Sequence, residues 1–258
     1  MDYECFEIEA SGGVAHLMLA RPERRNAMTA AFWTELPQIV RRLDAAGETR
    51  ALVISSTGPH FCAGLDVSMF GSGALTTENV AARKKFRAKL EELQASLGVL
   101  AEARFPVIAA VQGGCIGGGV DMATACCLRY ATREAYFVIQ EIHLGMMADV
   151  GTFNRMPKQI PEAVVRELGY TGDKLSAERA ERLGFVNGLF DSHDQLLAGA
   201  LEVARRIAAK APVAIAATKQ MISYTRDHSV AESFDYLNAL QPAIFDIEEI
   251  KKALRAKT

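Results

Sequence analysis

The sequence predicts an α/β fold followed by a purely helical region, and three observations carry that prediction. Short apolar runs alternate with helix-periodic stretches over most of the chain. Two glycine-rich loops each follow such a run. Beyond Ser192 only helical patterns remain. The expected division is therefore 1–191 for the α/β core and 192–258 for the helical region.

Residues 14–20 read as a strand that Arg21-Pro22-Glu23 breaks. Thr29 is placed to cap a helix running to Ala46, with Gly47 just past its end. The run 51–55 (ALVIS) is apolar up to its closing serine, which suits a strand covered on both faces. Gly58-Pro59 and Gly64 mark a loop, and 79–103 is long, charged and helix-periodic. The next buried strand, 107–111, leads into Gly113-Gly114 and Gly117-Gly118-Gly119 and then a helix. Residues 128–131 and 136–140 read as short strands. Four helices follow, at 192–210, 212–226, 229–240 and 242–256, with Pro212 and Pro242 at their starts.

Composition narrows the function. The 258 residues are half hydrophobic and 23% charged, with net charge −2, ordinary for a globular chain. A nucleic-acid binder shows a basic excess or face. Here the clusters Arg21, Arg24, Arg25 and Arg83, Lys84, Lys85, Arg87 read as solvated faces or contacts for small phosphates. The five cysteines (Cys5, Cys62, Cys115, Cys126, Cys127) have no metal-ligand spacing and read as reduced, mostly buried thiols. No apolar run approaches the roughly 20 residues that span a bilayer. Met1-Asp2-Tyr3-Glu4 has no leader character, and Arg255-Ala256-Lys257-Thr258 is not a peroxisomal address. The expectation is a cytoplasmic protein of a bacterium that meets neither nucleic acid nor membrane.

The two loops are Phe61-Cys62-Ala63-Gly64-Leu65-Asp66 and the stretch from Val111 to Asp121. Glycine lets a backbone approach a ligand closely and adopt positive φ. A strand that ends in glycines and opens a helix leaves free N–H groups at the positive end of the helix dipole. That suits negative charge developing on an oxygen. The alternative is two tight turns. Nucleotide binding fits less well, because the second loop lacks the Gly-Lys-Ser/Thr ending of a phosphate loop.

Taken together, Arg21-Pro22, Asn26-Ala27-Met28, the first loop, and the second loop through Cys126 and Arg129 resemble the enoyl-CoA hydratase/isomerase (crotonase) family. The resemblance covers almost the whole chain. It implies a crotonase-like spiral of repeated β-β-α units, followed by a helical C-terminal region that forms a homotrimer or homohexamer. It implies an acyl-CoA thioester substrate, with coenzyme A belonging to the substrate and no separate cofactor or metal. By motif position, the N–H groups of Leu65 and Gly118 would hold the thioester oxygen. Arg24, Ala27, Ala63, Gly64, Asp66 and Gly117 would contact substrate, with Arg25 or Lys219 as further phosphate contacts. The loop around 67–78 would select the acyl group.

The acids choose among the family's reactions. Asp121 starts the helix after the glycines, Glu141 is expected at the end of a strand, and Asp149 follows eight residues later. Helix capping, a surface acid and a turn would account for them singly. A hydratase of this family has glutamates at the positions of Asp121 and Glu141, and a Gly/Pro-rich stretch where Met147-Ala148-Asp149 stands. The extra carboxylate departs from that pattern. It is similar to the Δ3,5-Δ2,4-dienoyl-CoA isomerases, which this chain also resembles over 141–151 and 224–236 (YTRDHSVAESFDY). The resemblance makes Glu141 and Asp149 the proton-transfer pair, with Asp121 beside Glu141. In a 3,5-dienoyl thioester, loss of a C2 proton gives an extended dienolate, and a proton added at C6 gives the 2,4-dienoyl product. Acids at opposite ends of that system do this more readily than one. Met146, Met147, Phe137 and Ile142 are candidate apolar walls.

Three rivals remain. A 2-enoyl-CoA hydratase would activate water with Asp121 and Glu141. A haloaroyl-CoA dehalogenase needs a histidine that 79–104 lacks, and a tryptophan where Glu141 stands. An RNA-binding relative fits poorly with the charge balance. His143 reads as a bystander, His16, His60, His193 and His228 have no metal spacing, and Trp33 reads as packing.

Overall fold

A computed structural model describes residues 3–71 and 76–255. Residues 72–75 of the expected acyl-selecting loop, Met1 and Asp2, and Ala256, Lys257 and Thr258 lie outside the described residues.

The strands form two sheets. The larger has the order β1 (Phe6–Ser11), β2 (Val14–Leu19), β3 (Ala51–Ser56), β4 (Val107–Val111), β6 (Leu128–Thr132) and β9 (Gly188–Phe190). The smaller joins β5 (Gly114–Ile116), β7 (Tyr136–Val138) and β8 (Leu175–Ser176). Only β1–β2 is antiparallel in the larger sheet. The repeat is visible in the order: β4 then β5, and β6 then β7, each give one strand to each sheet. A bridge from Cys62 to Cys115 carries the smaller sheet back under the first glycine loop. Strand β1 went unread because Glu7 and Glu9 make it a charged, half-exposed edge, which is how edges avoid mispairing.

Both faces of the larger sheet are covered, as the ALVIS run predicts. Leu52 and Ile54 face the main core with Leu17, Leu19 and Val107, while Ala51 and Val53 face a second cluster. Helices α1 (Ala30–Ala46) and α2 (Val80–Glu102) pack together on the main-core side. Pro37 lies inside α1 and cannot donate to the carbonyl of Trp33. The hydroxyl of Ser96, in α2, donates to that carbonyl instead at 2.9 Å. Trp33 is packing, edge-on to Phe32 at 5.4 Å. Gly47 closes α1 at φ 71. Thr29 holds the N-cap position but does not cap, because its hydroxyl pairs with the Cys5 thiol at 3.3 Å. All five thiols are free.

After α3 (Gly118–Ala125) come α4 (Thr152–Arg155), α5 (Glu162–Thr171) and α6 (Ala177–Arg182). Beyond β9 the described residues form helices only: α7 (His193–Ala208), α8 (Pro212–Asp227), α9 (Val230–Ile244) and α10 (Ile247–Arg255). A stripe of Leu196, Ala200, Ala204 and Ala208 seats α7 on the second face of the sheet. Pro212 starts α8 as expected, but Pro242 lies inside α9. The break comes three residues later, where the Asp246 carboxylate accepts from the Glu248 N–H and starts α10. Among the described residues no helix is long and apolar enough to cross a membrane.

Lys219 is not a phosphate contact. Its ammonium donates to the carbonyls of Leu100, Ala103 and Phe105 at 2.9, 2.7 and 2.9 Å. It thus satisfies the C-terminal end of α2, where carbonyls lack helical partners and a cation is favoured. Burial lowers its pKa.

Candidate active site

The glycine loops meet at the C-terminal ends of β3 and β4, where open α/β sheets present ligand-binding crevices. Asn26 ties the segments together. Buried and in left-handed conformation, it accepts from the Arg21 N–H and donates to the carbonyls of Thr57 and His60. The Ala63 N–H donates to Arg25, the Met28 N–H to Gly64 and the Asp66 N–H to Met28. In this pairing of Met28 with Leu65, the N–H of Leu65 points away from Met28.

It points toward α3. A methyl group at Gly118 would sit 3.7 Å from the Leu65 nitrogen, and one at Gly64 would sit 3.2 Å from the Gly118 nitrogen. The N–H of Gly118 opens the helix and so has no partner within it. Among the described residues neither amide meets a backbone acceptor. Arg129 supports the far end of α3 by donating to the carbonyls of Ala123 and Cys126. The structure brings Gly64, Leu65, Gly117 and Gly118 into one place.

The acids converge on it. Glu141 is not at a strand end as expected. Strand β7 stops at Val138 because its partner β5 stops at Ile116, where Gly117 turns into α3. Glu141 lies in the short 3-10 turn Gln140–Leu144 that follows. Its Oε1 would be 3.1 Å from a methyl group at Gly117, and its Oε2 is buried without a hydrogen-bond partner. Burial, then the charges of Asp121 and Asp149, push its pKa up to about 7.

Asp121 is only 1% exposed. Burial raises its pKa to about 6, against the opposing effect of two donors from Thr152. Asp149 is half-buried and its pKa is raised by burial. Its charge acts on both other acids, and the amide of Gln94, in α2, holds its carbonyl at 2.8 Å. The structure therefore brings Asp121, Glu141 and Asp149 together. Such groups titrate as a set.

Other expected contacts are less engaged. Arg24 is exposed at the end of its 3-10 turn, and Ala27 and Ala63 are half-buried beside it. The Asp66 carboxylate accepts from Ser68, which lowers its pKa. Phe137 packs in the core, edge-on to Phe185 at 5.1 Å. Met147 is 71% exposed, and Met146 and Ile142 are exposed too, so these do not wall the acids in a single chain. His143 pairs with the Gly172 carbonyl and His60 accepts from the Gly114 N–H, both structural uses. Sequence reasoning missed Thr152, Arg155 and Gln94, whose roles depend on contacts between distant segments. A separate cavity of about 250 Å³, lined by Asp44, Arg50, Arg104 and Lys210 among others, includes none of Asp121, Glu141 and Asp149.

The raised acids carry a stability cost. For Glu141 the protonated form is favoured on folding, so its contribution is complete below about 4.5 and is lost as pH rises through about 7. Glu141→Gln should raise the melting temperature at pH 8 by about 2–4 °C and give no gain at pH 4.5. Paired thermal melts at the two pH values check this.

The whole-chain comparisons agree with the geometry. The family described as enoyl-CoA hydratase/isomerase matches residues 9–257. The human mitochondrial Δ(3,5)-Δ(2,4)-dienoyl-CoA isomerase is 38% identical over 261 residues, covering 99% of this chain and 80% of that protein. An (E)-benzylidenesuccinyl-CoA hydratase from Thauera aromatica is 30% identical over 252 residues, covering 96% and 94%. The crystal structure of an enoyl-CoA hydratase from Bacillus anthracis shares the fold, with a TM-score of 0.89 at 24% identity over 98% of this chain and 97% of that one. With the strand–strand–helix spiral, the meeting of the glycine loops and a family match across nearly every residue, this chain belongs to the enoyl-CoA hydratase/isomerase family.

Proposed function

We propose that this enzyme converts 3,5-dienoyl-CoA to 2,4-dienoyl-CoA in fatty-acid β-oxidation. The observation that carries the reading is a third acid, Asp149, near enough for its charge to raise the pKa of both Asp121 and Glu141, with Glu141 beside Gly117. The likeness to dienoyl-CoA isomerases supports it.

In this reading the thioester oxygen accepts from the N–H groups of Leu65 and Gly118. Charge moves onto that oxygen as the dienolate forms, so donors already in place lower the barrier; losing one such donor costs about 3–4 kcal/mol in other enzymes. Glu141 takes the C2 proton. A pKa of about 7 makes it a base matched to neutral pH. Asp149 delivers a proton at C6 from a half-buried position, where burial moves its pKa upward.

Direct detection of 2,4-dienoyl-CoA by its ultraviolet absorbance, beside a crotonyl-CoA hydration assay, tests the proposal. Rapid dienoyl formation is expected. Hydration of crotonyl-CoA without any dienoyl product would favour the second reading, a 2-enoyl-CoA hydratase, which the Thauera aromatica relative supports.

Self-association as a trimer or hexamer belongs to the same proposal. Ile247, Ile250 and Leu254 form an exposed apolar stripe on α10, and Ile222, Val230 and Phe234 are exposed on α8 and α9. Sedimentation velocity on the purified chain should show no monomer at micromolar concentration.

A further inference from the structure

The hydrogen bonds on Asp121 have no part in the proton transfers above, yet they are the most directed contacts in the site. Thr152 begins α4, and its N–H and hydroxyl donate to the same oxygen, Oδ1, at 2.6 and 2.8 Å. Oδ2 takes part in neither bond. Thr152 is 1% exposed, so both donors are withdrawn from water. Arg155 stands in the same short helix, its guanidinium held to the Val150 carbonyl at 3.3 Å. Its charge favours an ionised Asp121.

We propose that Thr152 is a positioning residue: by fixing Oδ1 it makes Asp121 a standing charge beside Glu141 that neither carries the transferred proton nor orients a water. This deepens the isomerase reading and rests on it. Two donors on one carboxylate oxygen favour the ionised acid and fix its orientation. A hydratase would need the corresponding acid to hold and activate water. Here the oxygen nearest Thr152 is committed to it, and the side chain is one methylene shorter than a glutamate.

The surroundings fix the sign of the effect. Asp121 faces Asp149 and Glu141 as anions, Arg155 as a cation and the Cys115 thiol in β5. Arg155 in turn faces Arg226 in α8, Glu102 in α2 and Cys126. Removing the Thr152 hydroxyl leaves Asp121 more ready to take a proton. A proton on Asp121 removes a negative neighbour from Glu141, which then stays ionised to lower pH.

The test is the pH profile of kcat/KM for dienoyl isomerisation in wild type, Thr152→Val, Thr152→Ser, Asp121→Asn and the Asp121→Asn/Thr152→Val double variant. The acid limb should move to lower pH by on the order of one unit in Thr152→Val and stay in place in Thr152→Ser, which keeps both donors. It should move in Asp121→Asn and move no further in the double variant, because Thr152 acts through Asp121. A Thr152→Val limb superposable on wild type, an equal shift in Thr152→Ser, or additive shifts in the double variant would overturn the inference while leaving the isomerase reading intact. Should Thr152→Val not fold, an unmoved limb in Asp121→Asn overturns it equally. A wild type that forms no 2,4-dienoyl-CoA defeats the underlying reading, and this inference with it.

Discussion

Glu141→Gln should lower the rate of 2,4-dienoyl-CoA formation by on the order of 10³-fold while leaving KM nearly unchanged. The size is that of losing a well-placed general base. The selectivity follows because glutamine keeps the shape of the side chain and removes only its capacity to take a proton. Oε2 has no hydrogen-bond partner, so no protein donor loses its acceptor there. Asp149→Asn should block the product equally but differ in one readout. If Glu141 acts at C2 and Asp149 at C6, the asparagine variant still exchanges the C2 hydrogen of a 3,5-dienoyl substrate with solvent deuterium. Mass spectrometry of recovered substrate from both variants reads this. Deuterium at C2 in Asp149→Asn and none in Glu141→Gln is the expected pattern. Equal exchange in both would remove the division of labour between the two acids.

Gly64→Ala should lower kcat by about 10²–10³-fold, comparable to losing a donor to a developing oxyanion. The added methyl group would lie 2.8 Å from the carbonyl oxygen of Ile116 and 3.2 Å from the nitrogen of Gly118. The two loops must then separate, and the amides of Leu65 and Gly118 no longer converge. The backbone at Gly64 also has φ 85, where a side chain is strained by about 1–3 kcal/mol. That strain lowers stability by itself, so a control is needed. Gly184 has φ 79 with nothing within 4 Å of an added methyl group. Gly184→Ala should lower the melting temperature without lowering kcat. Steady-state kinetics and thermal melts on both variants separate the loss of the amide pair from backbone strain. A Gly64→Ala enzyme with wild-type kcat would show that the amide pair does not serve the reaction.

Much of this molecule follows from local patterns. The apolar residues 51–54 dictate a strand buried on both faces, because none of the four gains by facing water. Gly47 ends α1 because the chain turns there with positive φ. The glycine loops and the residue types of Asp121, Glu141 and Asp149 were legible for the same reason: backbone freedom and acidity belong to single residues. What the tertiary structure alone decided are relations between distant segments. The length of β7, and with it the turn that carries Glu141, depends on where β5 ends. The task of Lys219 depends on the end of α2 lying beside α8, which turns an expected phosphate contact into a cap. The hold of Thr152 on Asp121 joins residues 31 apart. Hydrogen bonds and desolvation are properties of the folded surroundings, so proton affinity and side-chain commitment appear only when the chain has closed on itself.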